Sequence, residues 1–243
     1  MISYALRGIN MEIIDIGCPR SLDLSSIISN KEEKIKSILQ TISIYDHILI
    51  SQDVKNIKNV LIKSNDNISQ SLYEKLNELL LLYSNYVGLI INNISIDIKY
   101  DNFSYLRTDE NILAGFILAL NYYFKINITN HELIYLVNKI DPLISFYING
   151  GYKKIDDNNK PLYIGNNLFN KYYLIDKFDD IEKLKEICDK YNIILSSSNC
   201  NFITSQDNIN SSVIINLKKQ IPNININAVN NVKEHKILVK YIK

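Results

Sequence analysis

From Ile9 to Ile16 isoleucines are interspersed with polar residues as in a β-strand, and the strand is expected to end at Gly17 and Pro19, which do not continue one. A polar stretch through Lys31 to Lys36 precedes a second predicted strand, Ile42 to Ile50. The period then changes. Leu72, Leu76, Leu79, Leu80 and Tyr83 fall at i, i+4, i+7, i+8 and i+11, one face of a helix that begins near Asn67. Ile94, Ile96 and Ile98 alternate with Ser95, Asp97 and Lys99, the pattern of a half-buried strand. Asn111 to Phe124 reads as a buried helix. Thr129 with Glu132 three residues on forms a capping box that opens another, whose Leu133, Leu136, Val137 and Ile140 share a face. Pro142 ends that helix, Ile144 to Ile148 is predicted as a strand, and Gly150-Gly151 as a turn.

The segment Tyr152 to Asn170, rich in Asp, Asn, Pro and Gly, has the composition of a domain boundary. Beyond it the pattern predicts a strand (Tyr172 to Ile175), a helix with Ile181, Leu184, Ile187 and Cys188 inward, and strands at Asn192 to Leu195 and Cys200 to Thr204. A helix through Ile209, Val213, Ile214 and Leu217 follows, then strands at Ile224 to Ala228 and Ile237 to Tyr241. The order β-α-β-β-α-β is the split, ferredoxin-like arrangement. The expected fold is therefore α+β in two domains, an N-terminal α/β unit over residues 1–155 and a ferredoxin-like unit over residues 156–243.

Composition narrows the function classes. Hydrophobic residues make up 47% of the 243, enough for a core, and 27 Lys plus Arg against 26 Asp plus Glu leave a net charge of +1. That balance lacks the positive footprint of a protein whose main partner is nucleic acid. With 45 Ile and 33 Asn against four Ala, the skew is the one an AT-rich genome produces, so Asn-dense stretches such as Ile221 to Asn231 need no separate explanation. Cys18, Cys188 and Cys200 are odd in number, widely spaced and without neighbouring His, which points to buried thiols rather than a disulfide or zinc. His47, His131 and His235 lie far apart and suggest no metal. Arg7, Glu12 and Asp15 interrupt the N-terminal apolar stretch, so no secretory signal is expected. The longest uncharged apolar run, Ile112 to Leu120, is nine residues, half of the roughly 18 that cross a bilayer. A soluble, cytoplasmic protein with no membrane partner is expected.

Short matches spread along the chain carry a more specific reading. Gly8-Ile9-Asn10-Met11, Gln40 to Asp46, Asp66-Asn67-Ile68, Ala119-Leu120-Asn121 and Gly150 occur in an order and spacing that resembles the GHMP kinases, most closely the 4-diphosphocytidyl-2-C-methyl-D-erythritol kinases of non-mevalonate isoprenoid synthesis. The resemblance covers most of the chain. It implies the two-domain GHMP-kinase fold, Mg-ATP as cofactor, and a glycine-rich loop running into a helix N-terminus that cradles the triphosphate. It further implies a catalytic Asp paired with a Lys. Carried onto this sequence, it makes Asn67 a nucleotide contact and Asn10 a substrate contact, and leaves Ser104, Arg107, Thr108 and Asn111 as the phosphate-loop residues able to meet a polyanion.

The departures from the family fall on its chemistry. The loop segment Asn102 to Asn111 contains no glycine, the residue that lets a backbone approach phosphates without a Cβ in the way, and it carries Asp109 and Glu110 where an anion would sit. The family's catalytic Asp aligns onto Leu143 and its Lys onto Gly8, with Asp141 and Arg7 the nearest substitutes. The Gly-Tyr-His segment is replaced by Ser21 to Lys36, and Ser196-Ser197-Ser198 stands where the last glycine motif belongs. Bland roles compete throughout: Asn67 as a helix N-cap, Thr108 or Asp109 as the cap of the next helix, Cys200 as a core thiol. What matches is scaffold and what departs touches phosphate or substrate. The expected function is that of a catalytically inactive GHMP-fold protein that binds an unidentified protein or small-molecule ligand and needs no cofactor. The alternatives are a divergent Mg-ATP-dependent kinase using Arg7 and Asp141, and a single-stranded nucleic-acid binder stacking bases on Tyr172, Tyr173 and Tyr191, which the neutral charge disfavours.

Overall fold

The computed structural model describes residues 11–28, 36–53, 60–163, 167, 169, 171–176, 180–196, 201–205, 209–221, 223–233 and 235–242. In chain order they form β1 (Met11–Asp23), the single turn α1 (Ser25–Ile28), β2 (Ser37–Gln52), β3 (Val60–Ser64), α2 (Gln70–Val87), β4 (Ile94–Lys99), a 3-10 turn (Ser104–Leu106), α3 (Asp109–Phe124), α4 (Asn130–Val137) and α5 (Ile144–Asn149). There follow β5 (Tyr152–Ile155), β6 (Pro161–Tyr163), β7 (Lys171–Asp176), α6 (Ile181–Lys190), β8 (Ile194–Ser196), β9 (Phe202–Thr204), α7 (Ser211–Gln220), β10 (Asn225–Asn230) and β11 (Lys236–Ile242).

The first sheet has the order β11-β1-β2-β4-β3, with β5 paired to the opposite end of β2 and β6 to β5. β3 and β4 run parallel, the other pairs antiparallel. The second sheet, β10-β7-β9-β8, is antiparallel, and with α6 and α7 on one face it is the ferredoxin-like unit expected from the pattern.

One side of β1 organises the molecule. Ile14, Ile16 and Cys18 enter the core that α2 to α5 cover, while Leu22 and Leu24 pack with Tyr172, Leu174 and Phe202 of the second sheet. Between them, on the same side of the strand, lies Arg20. The other side of β7 and β9, through Ile175 and Ile203, packs under α6 and α7. α3 is buried from Asn111 to Leu120 without interruption, so no amphipathic stripe shows in its sequence. It lies so close to β1 that a Cβ at Gly115 would overlap the Cys18 sulfur.

Several expectations are corrected. β1 does not stop at Gly17 and Pro19 but runs to Asp23, because its pairing with β2 shifts between Pro19 and Arg20 and a bulge tolerates a residue without an N–H. Ile144 to Ile148 is helix α5, not a strand; Asp141 and Pro142 start the turn, and burial of all five residues hides the helical period. The last predicted strand belongs to the first sheet, where Met11 to Gly17 of β1 pair with Ile242 to Lys236 of β11. β6 lies there too, so sheet membership does not divide at residue 155. The α2 cap is Ser69, whose hydroxyl accepts from the Leu72 amide, and Asn67 stands two residues outside it.

Candidate functional site

β1, β2, the loop 101–108 and the first turn of α3 converge on one buried ion pair. Arg20 and Asp46 are both fully enclosed. Arg20 meets the carboxylate two-pronged, Nε donating to Oδ2 at 2.8 Å and Nη2 to Oδ1. Asp46 also accepts from the Asp101 amide and from Asn111 Nδ2, each at 2.9 Å. Two further guanidinium hydrogens go to loop carbonyls, one on Nη2 to Asp101 at 3.1 Å and one on Nη1 to Phe103. A carboxylate with several donors and a guanidinium with acceptors on each arm form a nearly closed set, which is what lets two charges lie out of water.

The loop is held from its other side by apolar contact. Leu106 is buried and Phe103 packs beside it in the cluster that joins the two sheets. Five of its backbone donors are engaged within the chain: the Asp101 amide on Asp46, Asn102 on the Asp101 side chain, Ser104 on the Asn102 carbonyl, Leu106 on Phe103 and Arg107 on Ser104. Ser104 itself is exposed. Thr108 caps α3, its hydroxyl accepting from the Asn111 amide at 3.4 Å and donating to the Tyr147 phenol at 3.2 Å; Tyr147 in turn contacts Ser21 Oγ at 2.8 Å. Burial pushes the Tyr147 phenol up to about 12, so it stays neutral. The Asn111 side-chain oxygen is buried without a partner among the described residues.

Arg107 bonds Asp66 and lays its guanidinium over the Tyr100 ring at 4.5 Å. Its hydrogen bond holds the Asp66 carboxyl below the usual range. Burial raises the Glu110 pKa, and Asp141 nearby raises it further, so two carboxyl groups face the start of α3. Asp141 accepts the Leu143 amide at 2.8 Å and Asn159 Nδ2 at 3.4 Å, the contacts of a turn. Triphosphate needs unengaged backbone donors and a cationic rim. Here five of the loop amides are bonded within the chain, Phe103 and Leu106 pack into the apolar cluster that joins the two sheets, and Glu110 and Asp141 bring carboxyl groups to the start of α3, an arrangement unlike an open anion cradle.

The predicted site residues thus divide. Ser104, Arg107, Thr108 and Asn111 lie together on one loop and helix start, with Asn67 beside Asp66, the Arg107 partner. Arg7, Asn10, Gly8 and Ser197 to Cys200 lie outside the described residues. Arg20, Ser21 and Tyr147 were not singled out, and Asp46 counted only as scaffold. One signal was available: the chain has three Arg among 27 basic residues, and two of them, Arg20 and Arg107, are the cations of this site. Tyr172 is buried against Phe169 and Phe202 and offers no face to a base. Among the described residues no group of three or more His, Cys, Asp or Glu is placed to hold a metal, and no helix is long and apolar enough to cross a membrane.

A scan against protein-family models finds no match, and neither does a search of curated protein sequences. The fold has solved counterparts. The homoserine kinase of Cytophaga hutchinsonii superposes with a TM-score of 0.61 at 11% identity, over 98% of this chain and 100% of that one. The mevalonate kinase of Methanococcus jannaschii gives 0.57 at 14%, covering 93% and 100%. The mevalonate diphosphate decarboxylase of Staphylococcus aureus gives 0.62 at 9%, covering 94% and 98%.

Proposed function

We propose that this chain, which has the GHMP-kinase fold, no longer transfers phosphate and acts in the cytoplasm by binding a partner protein or small-molecule ligand. The observation that carries this reading is the Arg20–Asp46–Asn111 cluster, which ties the loop to the strands through the Asp101 amide, the Asp101 and Phe103 carbonyls and the Asn111 side chain. Of the family's catalytic Asp there remains Leu143, half-buried against the helical core, which neither accepts a proton nor holds a metal. Its nearest carboxyl neighbour, Asp141, is engaged in its own turn. The matches along the chain favour descent from a 4-diphosphocytidyl-methylerythritol kinase, with the scaffold retained and the phosphate site converted into packing.

Titration calorimetry of the full chain with Mg-ATP to millimolar concentration tests it. No saturable heat is expected. Saturable binding, together with ATP-dependent phosphorylation of 4-diphosphocytidyl-methylerythritol that Asp141→Ala abolishes, would establish the divergent kinase instead.

A further inference from the structure

β11 is the outermost strand of the first sheet, and among the described residues nothing pairs with its outer edge. Three successive side chains on it are large and exposed, Ile237 at 41%, Leu238 at 48% and Val239 at 42%. Two adjoining cavities, of about 410 and 320 Å³, lie between β1 and β11 on one side and α3 and α4 on the other, and share Leu118, Tyr122 and Asn130. Their spacing follows the strand register. The first is lined by the cross-strand pair Ile14 and Val239, the second by the next pair on that face, Ile16 and Ile237. The cavities therefore repeat every two residues, about 6.7 Å, the interval at which an extended peptide sends successive side chains to one face.

Charge selects among extended peptides. Lys125 lines the first cavity and Lys233 the second, and no Asp or Glu among the described residues lines either. His235 also holds a buried Nε2 without a hydrogen-bond partner among the described residues. Residues 233–243 contain four Lys against one Glu, in a chain whose net charge is only +1. We infer that the outer edge of β11 docks an extended acidic segment of a partner protein, which adds a strand to the sheet and lays alternate aliphatic side chains into the two cavities. A second copy of this chain suits the edge poorly, because antiparallel pairing of two β11 strands about Leu238 sets Lys236 opposite Lys240 of the other copy. Lysines on an edge strand oppose self-association, and the same lysines attract an acidic strand. The surface lies toward the opposite end of α3 from the Arg20–Asp46 pair, so the inference holds whether or not the cleft takes nucleotide.

The test is fluorescence anisotropy of the full chain with a labelled, capped octapeptide alternating glutamate and valine. Saturable binding is expected, at least about tenfold tighter than to lysine–valine or glutamate–serine counterparts. Ile237→Ser and Val239→Ser, at exposed positions, should each weaken it several-fold, Lys233→Gln should weaken it too, and Leu238→Ser, on the other face, should not. No saturable binding at millimolar peptide, equal affinity for the lysine–valine peptide, or equal losses at Leu238 and Ile237 would overturn the inference. So would displacement of the peptide by oligothymidylate, or a concentration-dependent dimer that the peptide fails to dissociate. Each of these failures leaves the calorimetric test of the nucleotide site unaffected.

Discussion

Asp46, itself fully buried with Arg20 and Asn111, holds hydrogen bonds from both and from the Asp101 amide, so each partner is needed to keep the buried charges neutralised. Arg20→Met strands that carboxylate, and urea denaturation should register a loss of about 3–5 kcal/mol. Arg20→Met combined with Asp46→Leu should recover much of it, because an apolar pair leaves no buried charge. His235 provides the pH dependence. Burial lowers its pKa from 6.5 to about 4, so the folded chain keeps the ring neutral while the unfolded chain takes up a proton below about 6.5. The contribution is complete above that value and declines as the pH falls toward 4, by roughly 3 kcal/mol. Thermal melts at pH 7 and 4.5 check this, and His235→Gln should flatten the difference. At this scale the sequence was readable where the interaction is local. Thr108 and the Thr129–Glu132 box act within three residues and were read as caps. Arg20 and Asp46 lie 26 residues apart and Asp46 and Asn111 65 apart, which no local pattern reveals.

Elements were legible in proportion to how unevenly they are buried. α2 keeps Leu72, Leu76, Leu79 and Tyr83 inward and the residues between them largely outward, so its period is plain. α5, enclosed from Ile144 to Ile148, has no outward face to break the run and reads equally well as a strand. In β1 the strand continues through Pro19 because the bulge absorbs the missing donor, a compensation supplied by β2. The tightest contact between elements is α3 against β1 at Gly115. Alanine is the better helix former, yet Gly115→Ala should lower the melting temperature, since the new methyl group meets Cys18. Adding Cys18→Ala should restore part of the loss. If Gly115→Ala alone were stabilising, the close packing of α3 on β1 would be wrong.

At the scale of the molecule, the two sheets share an apolar cluster built from Leu22, Leu24, Phe103, Leu106, Tyr172 and Phe202, so they are expected to unfold in one transition with coincident near- and far-ultraviolet signals. The ferredoxin-like order was visible because each of its strands neighbours the next helix in sequence, whereas the return of β11 to β1 was not, because sheet membership at that range depends on which edge is open. That return has a consequence for synthesis. β1 ends at Asp23 and β11 begins at Lys236, so one side of β1 waits for its neighbour until more than two hundred further residues have been translated. At about 5–20 residues per second the interval is roughly 10–40 s. Throughout it this Ile-rich strand lacks the neighbour it has in the folded chain, and the strand that finally supplies it is the basic one, β11.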